Sequence, residues 1–175
     1  MKQINNAGFL PQPELLKTVD LKEWWEGFEV NVLGTALVIQ TYLRTKAPER
    51  EGVVVALNTI AAHWGSIPKL SAYAASKAAS LRMIELFQVE NPEVRFVSIH
   101  PGAVETAMCE KSGIKGIPLT DAALAANFIV WSASPEAEFL KGRFAWVNWD
   151  VEELNAMREE ILEKNLLQYS IAGFY

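Results

Sequence analysis

Gly52-Val53-Val54-Val55-Ala56-Leu57, followed at once by Asn58-Thr59, is an unbroken apolar run rich in β-branched residues. It is too short for a globular helix, and its odd and even positions are equally apolar. A strand of that kind must be buried on both faces, as strands are in parallel sheets covered by helices. Val94 to Ile99 has the same character and is closed by Pro101-Gly102. Ile4 to Gly8 reads as the end of a short strand running into a glycine turn, and Arg143 to Val147 as a further strand. Between these lie helical patterns. Asp20 is a suitable N-cap with Glu23 three residues on, and Trp24, Phe28, Val32, Leu37, Ile39 and Leu43 give one broad apolar face that ends near the charged turn Lys46 to Glu51. Ser71 to Phe87 predicts a second long helix, rich in Ala and Ser. Asp121 to Ser132 predicts a third and Val151 to Lys164 a charged fourth. Four strand-then-helix units predict an α/β fold built on a doubly wound parallel sheet.

The chain has 175 residues, half of them apolar, which bounds it to one packed domain. Sixteen Lys and Arg against 21 Asp and Glu leave a net charge of -5, the wrong sign for neutralising nucleic-acid phosphates. Cys109 is the only cysteine, so no intrachain disulfide can form and no thiolate cluster can hold zinc. The opening Met1-Lys2-Gln3-Ile4 lacks the apolar stretch of a secretory signal, and no apolar run is long enough to span a bilayer. A cytoplasmic protein without nucleic-acid or membrane partners is the expectation.

Parallel α/β sheets bind ligands beyond the carboxyl ends of their strands. Those positions are Asn5-Asn6-Ala7-Gly8, Asn58-Thr59 and Pro101-Gly102-Ala103-Val104-Glu105-Thr106. Tyr73 and Lys77 stand four apart on the second long helix, so phenol and ammonium share a face. A phenol titrating near 10 becomes a proton donor and acceptor near neutrality when an adjacent ammonium stabilises its anion.

Together with Asn31-Val32-Leu33-Gly34 and Tyr73-Ala74-Ala75-Ser76-Lys77, these stretches resemble, in order and spacing, the short-chain dehydrogenase/reductase family. The resemblance runs from Ile4 to about Ser134, and Gly142 to Val151 is similar to the ending of fungal members. It implies an NAD(P)-dependent oxidoreductase that interconverts a carbonyl and a secondary alcohol, with NAD or NADP as cofactor, NADP favoured. By the resemblance, Tyr73 is the catalytic acid/base, Lys77 holds the nicotinamide ribose and lowers the phenol pKa, and Asn31 positions a relay water. Asn6, Ala7 and Gly8 lie along the adenosine side. Pro101, Gly102, Val104 and Thr106 cover the nicotinamide, and Ala107 to Pro118 is a mobile substrate loop. Residues 1–150 form a partial Rossmann-like domain and 151–175 a helical extension. The helices at 21–46 and 71–90 pair copies into a homo-oligomer.

Two departures stand out. The family serine falls 13 residues before the tyrosine, where this chain has Ile60; the nearest hydroxyl is Thr59, with Ser66 as the alternative. No Thr-Gly-x-x-x-Gly-x-Gly turn occurs in the 175 residues, so the resemblance implies a partial sheet whose first strand has an open edge. A non-catalytic remnant or interaction subunit, pairing with a full-length relative, is the other reading of that pattern.

The remaining chemical groups read more plainly. His63 and His100 have no carboxylate or thiol cluster beside them and read as loop histidines, so no metal site is expected. Ser66-Ile67-Pro68-Lys69 matches a Ser-x-x-Lys nucleophile only on paper, because Pro68 disfavours the helix that would align it. Trp24, Trp25, Trp131, Trp146 and Trp149 read as packing residues, and Trp64 as a residue at the substrate mouth.

Overall fold

The computed structural model describes residues 1–63, 65 and 67–171. Four strands, β1 (Lys2–Asn5), β2 (Gly52–Leu57), β3 (Val94–His100) and β4 (Arg143–Trp146), form one sheet in the order β1-β2-β3-β4, every pair parallel. All six residues of β2 are buried, which is the two-faced burial its composition demands.

Alternation along the strands sorts the side chains onto two helical layers. Val54, Ala56, Val94 and Phe96 face the helices α2 (Thr35–Thr45) and α3 (Ser71–Glu90), where they meet Ile39, Tyr42 and Ile84. Val53, Val55, Val97 and Ile99 point the other way, to Phe128 of α5 (Ala122–Ser132) and to the 3-10 turn Pro135–Leu140. Leu154 of α6 (Val151–Ala156) and Ile161 of α7 (Arg158–Glu163) join that second core. Each large apolar side chain buried there contributes about 1.5–3 kcal/mol. The C-terminal pattern expected as one helix is broken at Met157, which ends α6 and starts α7.

The first long helix also differs from its expected form. It runs as α1 (Leu21–Phe28), a π-helical segment Glu29–Gly34 and then α2, with Asp20 capping the Lys22 N–H. Leu37 and Ile39 are two residues apart in α2 and so point about 200° from each other. Leu37, expected on the buried face, is exposed, while Ile39 and Tyr42 are buried.

β1 is an edge strand, and Ile4 on it is half exposed. Among the described residues, no helix is long and apolar enough to cross a membrane, and no group of three or more His, Cys, Asp or Glu is placed to hold a metal ion.

Candidate active site

The loops after β1, β2 and β3 meet at the carboxyl edge of the sheet, beside the first turns of α3. The centre of that meeting point is Gly8. A side chain there would stand 3.5 Å from Asn31 Oδ1, 3.5 Å from Lys77 Nζ and 3.8 Å from the Met108 methyl. Asn31, Lys77 and the residue after Ala7 are thus brought together from three separate elements. Asn6 and Ala7 lie exposed beside them.

Lys77 is almost fully buried, and its ammonium donates to the Leu57 carbonyl at 2.8 Å. Burial lowers its pKa from 10.5 to about 8. Asn58 fastens the same junction: its Nδ2 donates to the Lys77 carbonyl at 3.3 Å and its Oδ1 accepts from the Thr59 N–H at 2.8 Å.

Tyr73 stands one turn before Lys77, half-buried. Burial pushes its pKa above the ordinary tyrosine value, and the Thr59 side chain pulls the other way. Thr59 thus lies close enough to influence the phenol although it is one residue further from Tyr73 than the family spacing. It also caps the short 3-10 turn Ile60–Ala62, accepting from the Ala61 N–H at 3.3 Å. Ser66 and Trp64, the other residues expected here, lie outside the described residues.

Asn31 sits in the π-helical segment and is fully buried. Its Nδ2 donates to the Phe9 carbonyl at 2.8 Å and to Ser76 Oγ at 2.9 Å, and its Oδ1 accepts from the Phe9 N–H at 2.9 Å. Both amide protons are therefore engaged. A π turn inside an α-helix is frequently found at functional positions, and here it turns this amide toward the Phe9 loop.

On the β3 side, Gly102 has φ +75, and a Cβ would fall 2.0 Å from Thr120 Oγ1, so only glycine fits. Pro101 and Val104 are half-buried beside it, Val104 against the core below. Thr106 caps a helix, α4 (Ala107–Ser112), by accepting from the Cys109 N–H at 3.2 Å. The segment expected as a loop thus begins as a helix. It is tied down by Lys111, which donates to the Leu10 carbonyl at 2.7 Å and lies 5.1 Å over the Phe9 ring. Composition gave no sign of Thr120 or Lys111; Thr120 enters through its contact with Gly102, which only the fold creates.

His63 lies edge-on to Phe144 and His100 edge-on to Trp146. Burial holds His100 at about 4, so its ring is neutral near pH 7.

The short chain dehydrogenase family pattern matches residues 3–115, and the chain belongs to that family. It is 36% identical over 172 residues to the short chain dehydrogenase mpl6 of Monascus purpureus, covering 96% of this chain and 59% of that protein. The chain thus spans about three-fifths of that relative's length. A short chain dehydrogenase from Shigella flexneri complexed with NADP superposes with TM-score 0.77 at 22% identity, covering 85% of this chain and 63% of that one. One from Escherichia coli CFT073 complexed with NADPH gives TM-score 0.75 at 24% identity, covering 85% and 62%.

Proposed function

We propose that this chain carries the catalytic portion of an NAD(P)-dependent oxidoreductase that interconverts a carbonyl and a secondary alcohol. The observation that carries the reading is the convergence of Tyr73, Thr59, Lys77, Asn31 and Gly8 at one edge of a parallel sheet. The nicotinamide half of a dinucleotide fits this cradle. Gly8 leaves its backbone open beside Lys77 Nζ, and Gly102 holds a turn that no side chain could occupy. NADP is the favoured cofactor, in keeping with the NADP and NADPH complexes among the structural neighbours.

When bound, a nicotinamide supplies or takes up a hydride at the substrate carbon. In reduction, Tyr73 gives its phenolic proton to the substrate oxygen; in oxidation it takes that proton back. Thr59 donates to the same oxygen, and its side chain beside Tyr73 favours the phenolate. Lys77 uses one ammonium proton on Leu57, leaving two for a ribose hydroxyl. The Asn31 amide protons are engaged, so its part in a relay falls to its main-chain carbonyl, which already accepts from Thr35 Oγ1 at 2.9 Å and has a second lone pair. Pro101, Val104 and Thr106 cover the nicotinamide, and Asn6 and Ala7 border the adenosine side.

The helices at 21–46 and 71–90 pair copies into a homo-oligomer, an assignment supported by exposed Leu33, Leu37 and Val38 on one and Leu86 on the other. The same surface supports a second reading, an interaction subunit that pairs with a full-length relative. Light scattering, alone and mixed with such a relative, separates them. A cytoplasmic setting fits a chain with a single cysteine.

The direct test titrates NADPH and NADH into the purified chain and follows energy transfer from tryptophan to the reduced nicotinamide. Saturable transfer supports the assignment and justifies a carbonyl screen; a folded chain that binds neither cofactor refutes it for this chain. In the whole protein, Tyr73→Phe abolishes turnover, and retained activity overturns the role given to Tyr73.

A further inference from the structure

At the opposite end of the sheet from Tyr73, a groove of about 420 Å³ opens between the end of α3, the turn before β4 and helix α7. That volume lies in the usual range of small-molecule sites, ~300–1,000 Å³. Its wall joins two kinds of group. Val89, Phe139 and Leu162 are apolar, and Val89 and Leu162 leave much of their surface in water. Lys141, Arg143 and Arg158 bring three positive charges to the same walls of a chain whose net charge is -5.

None of those three cations forms an ion pair with a carboxylate among the described residues. Glu138, the carboxylate lining the groove, is paired at 3.3 Å with Arg95. Arg143 is 8% exposed; its Nη1 donates to the Lys141 carbonyl at 2.8 Å and its Nη2 to Asn165 Oδ1 at 3.2 Å, while its buried Nε has no partner. Lys141 Nζ donates to the Pro92 carbonyl at 2.7 Å, and the Arg158 guanidinium lies 5.7 Å over the Phe139 ring. Arg158 and Lys141 set positive charge without a carboxylate partner beside the exposed apolar surface of Val89 and Leu162, which complements an anion with an apolar body. Planar guanidinium groups select a carboxylate through paired hydrogen bonds.

We propose that this groove is a second ligand site, independent of the nicotinamide cradle, for a small carboxylate carrying an apolar chain, held by Arg158 and Lys141 with its chain against Val89 and Leu162. Calorimetric titration of the 175-residue chain with octanoate tests it, with acetate and octanol as probes lacking the chain or the charge. One saturable octanoate site is expected, at least ten-fold tighter than either comparison. Arg158→Gln and Leu162→Gln, both at exposed positions and checked for fold by circular dichroism, each weaken it at least five-fold. Lys77→Met leaves it unchanged, which separates this groove from the site at Tyr73. No saturable octanoate binding, equal binding of octanol, or binding indifferent to both groove variants overturns the proposal.

Discussion

The carboxamide of Asn31 pairs with the main chain of Phe9 in both directions, at 2.9 Å and 2.8 Å, as one peptide group pairs with another in a sheet. It is the only side chain shown bonding to the Phe9 N–H and carbonyl among the described residues. Asn31→Ala removes it and leaves those two groups, with Ser76 Oγ, short of a partner in a part-buried setting. The expected loss is about 3 kcal/mol, since each unsatisfied group costs roughly 1–3 kcal/mol. Urea unfolding measures it, and a midpoint within error of the wild type refutes the assignment.

Lys77 titrates near 8 in the folded chain and near 10.5 in water. Between those values the unfolded chain binds the extra proton, so folding stability rises with pH across that window; below pH 8 the burial penalty is present in full. From pH 8 to pH 9.5, which stays below the titration of exposed tyrosine, the gain is about 1–2 kcal/mol. Denaturation at stepped pH shows it as a rise that Lys77→Met flattens.

Thr59 stands beside Tyr73, and its side chain works against the rise in the phenol pKa that burial causes. Thr59→Ser keeps the hydroxyl, and turnover of the whole protein stays within about ten-fold of the wild type. Thr59→Val keeps the shape and loses the donor, with an expected fall of roughly 10²–10³ in kcat, the usual effect of removing one donor to a reacting oxygen. Comparable rates for the two variants take Thr59 out of the chemistry.

Gly102 combines φ +75 with a neighbour, Thr120, whose hydroxyl lies where a Cβ would be. Gly102→Ala destabilises by about 3 kcal/mol through left-handed backbone strain and overpacking. Gly102→Ala with Thr120→Ala recovers only part of this, because the backbone strain stays. Thermal unfolding of the two variants separates the contributions.

Sequence reading located the sheet and the polar loops at its carboxyl end because two-faced burial leaves a simple trace: β2 begins at Gly52 and ends at Leu57, as the apolar run does. It placed Tyr73 and Lys77 on one helix because spacing by four is local information. It put Leu37 and Ile39 on one buried face although, two residues apart in α2, they point about 200° from each other, and only Ile39 meets the sheet. The capping of α4 by the Thr106 hydroxyl was not legible, because it depends on where Cys109 folds back. The Thr120 contact with Gly102 and the cation-lined groove arise between segments far apart in the chain, where pattern carries no signal.

The wide turn between α1 and α2 acts as an indexing joint in an otherwise continuous shaft. Each residue of an α-helix advances the side-chain direction by about 100°, so the wider winding resets the angular origin of everything after Gly34. The leading half then answers to Pro11 and α3, where Gly27 is buried, and the trailing half answers to the sheet through Ile39 and Tyr42. Substitutions in one half need not be matched in the other. In this chain one loosened turn thus separates the surface that fits α3 from the surface that fits the sheet.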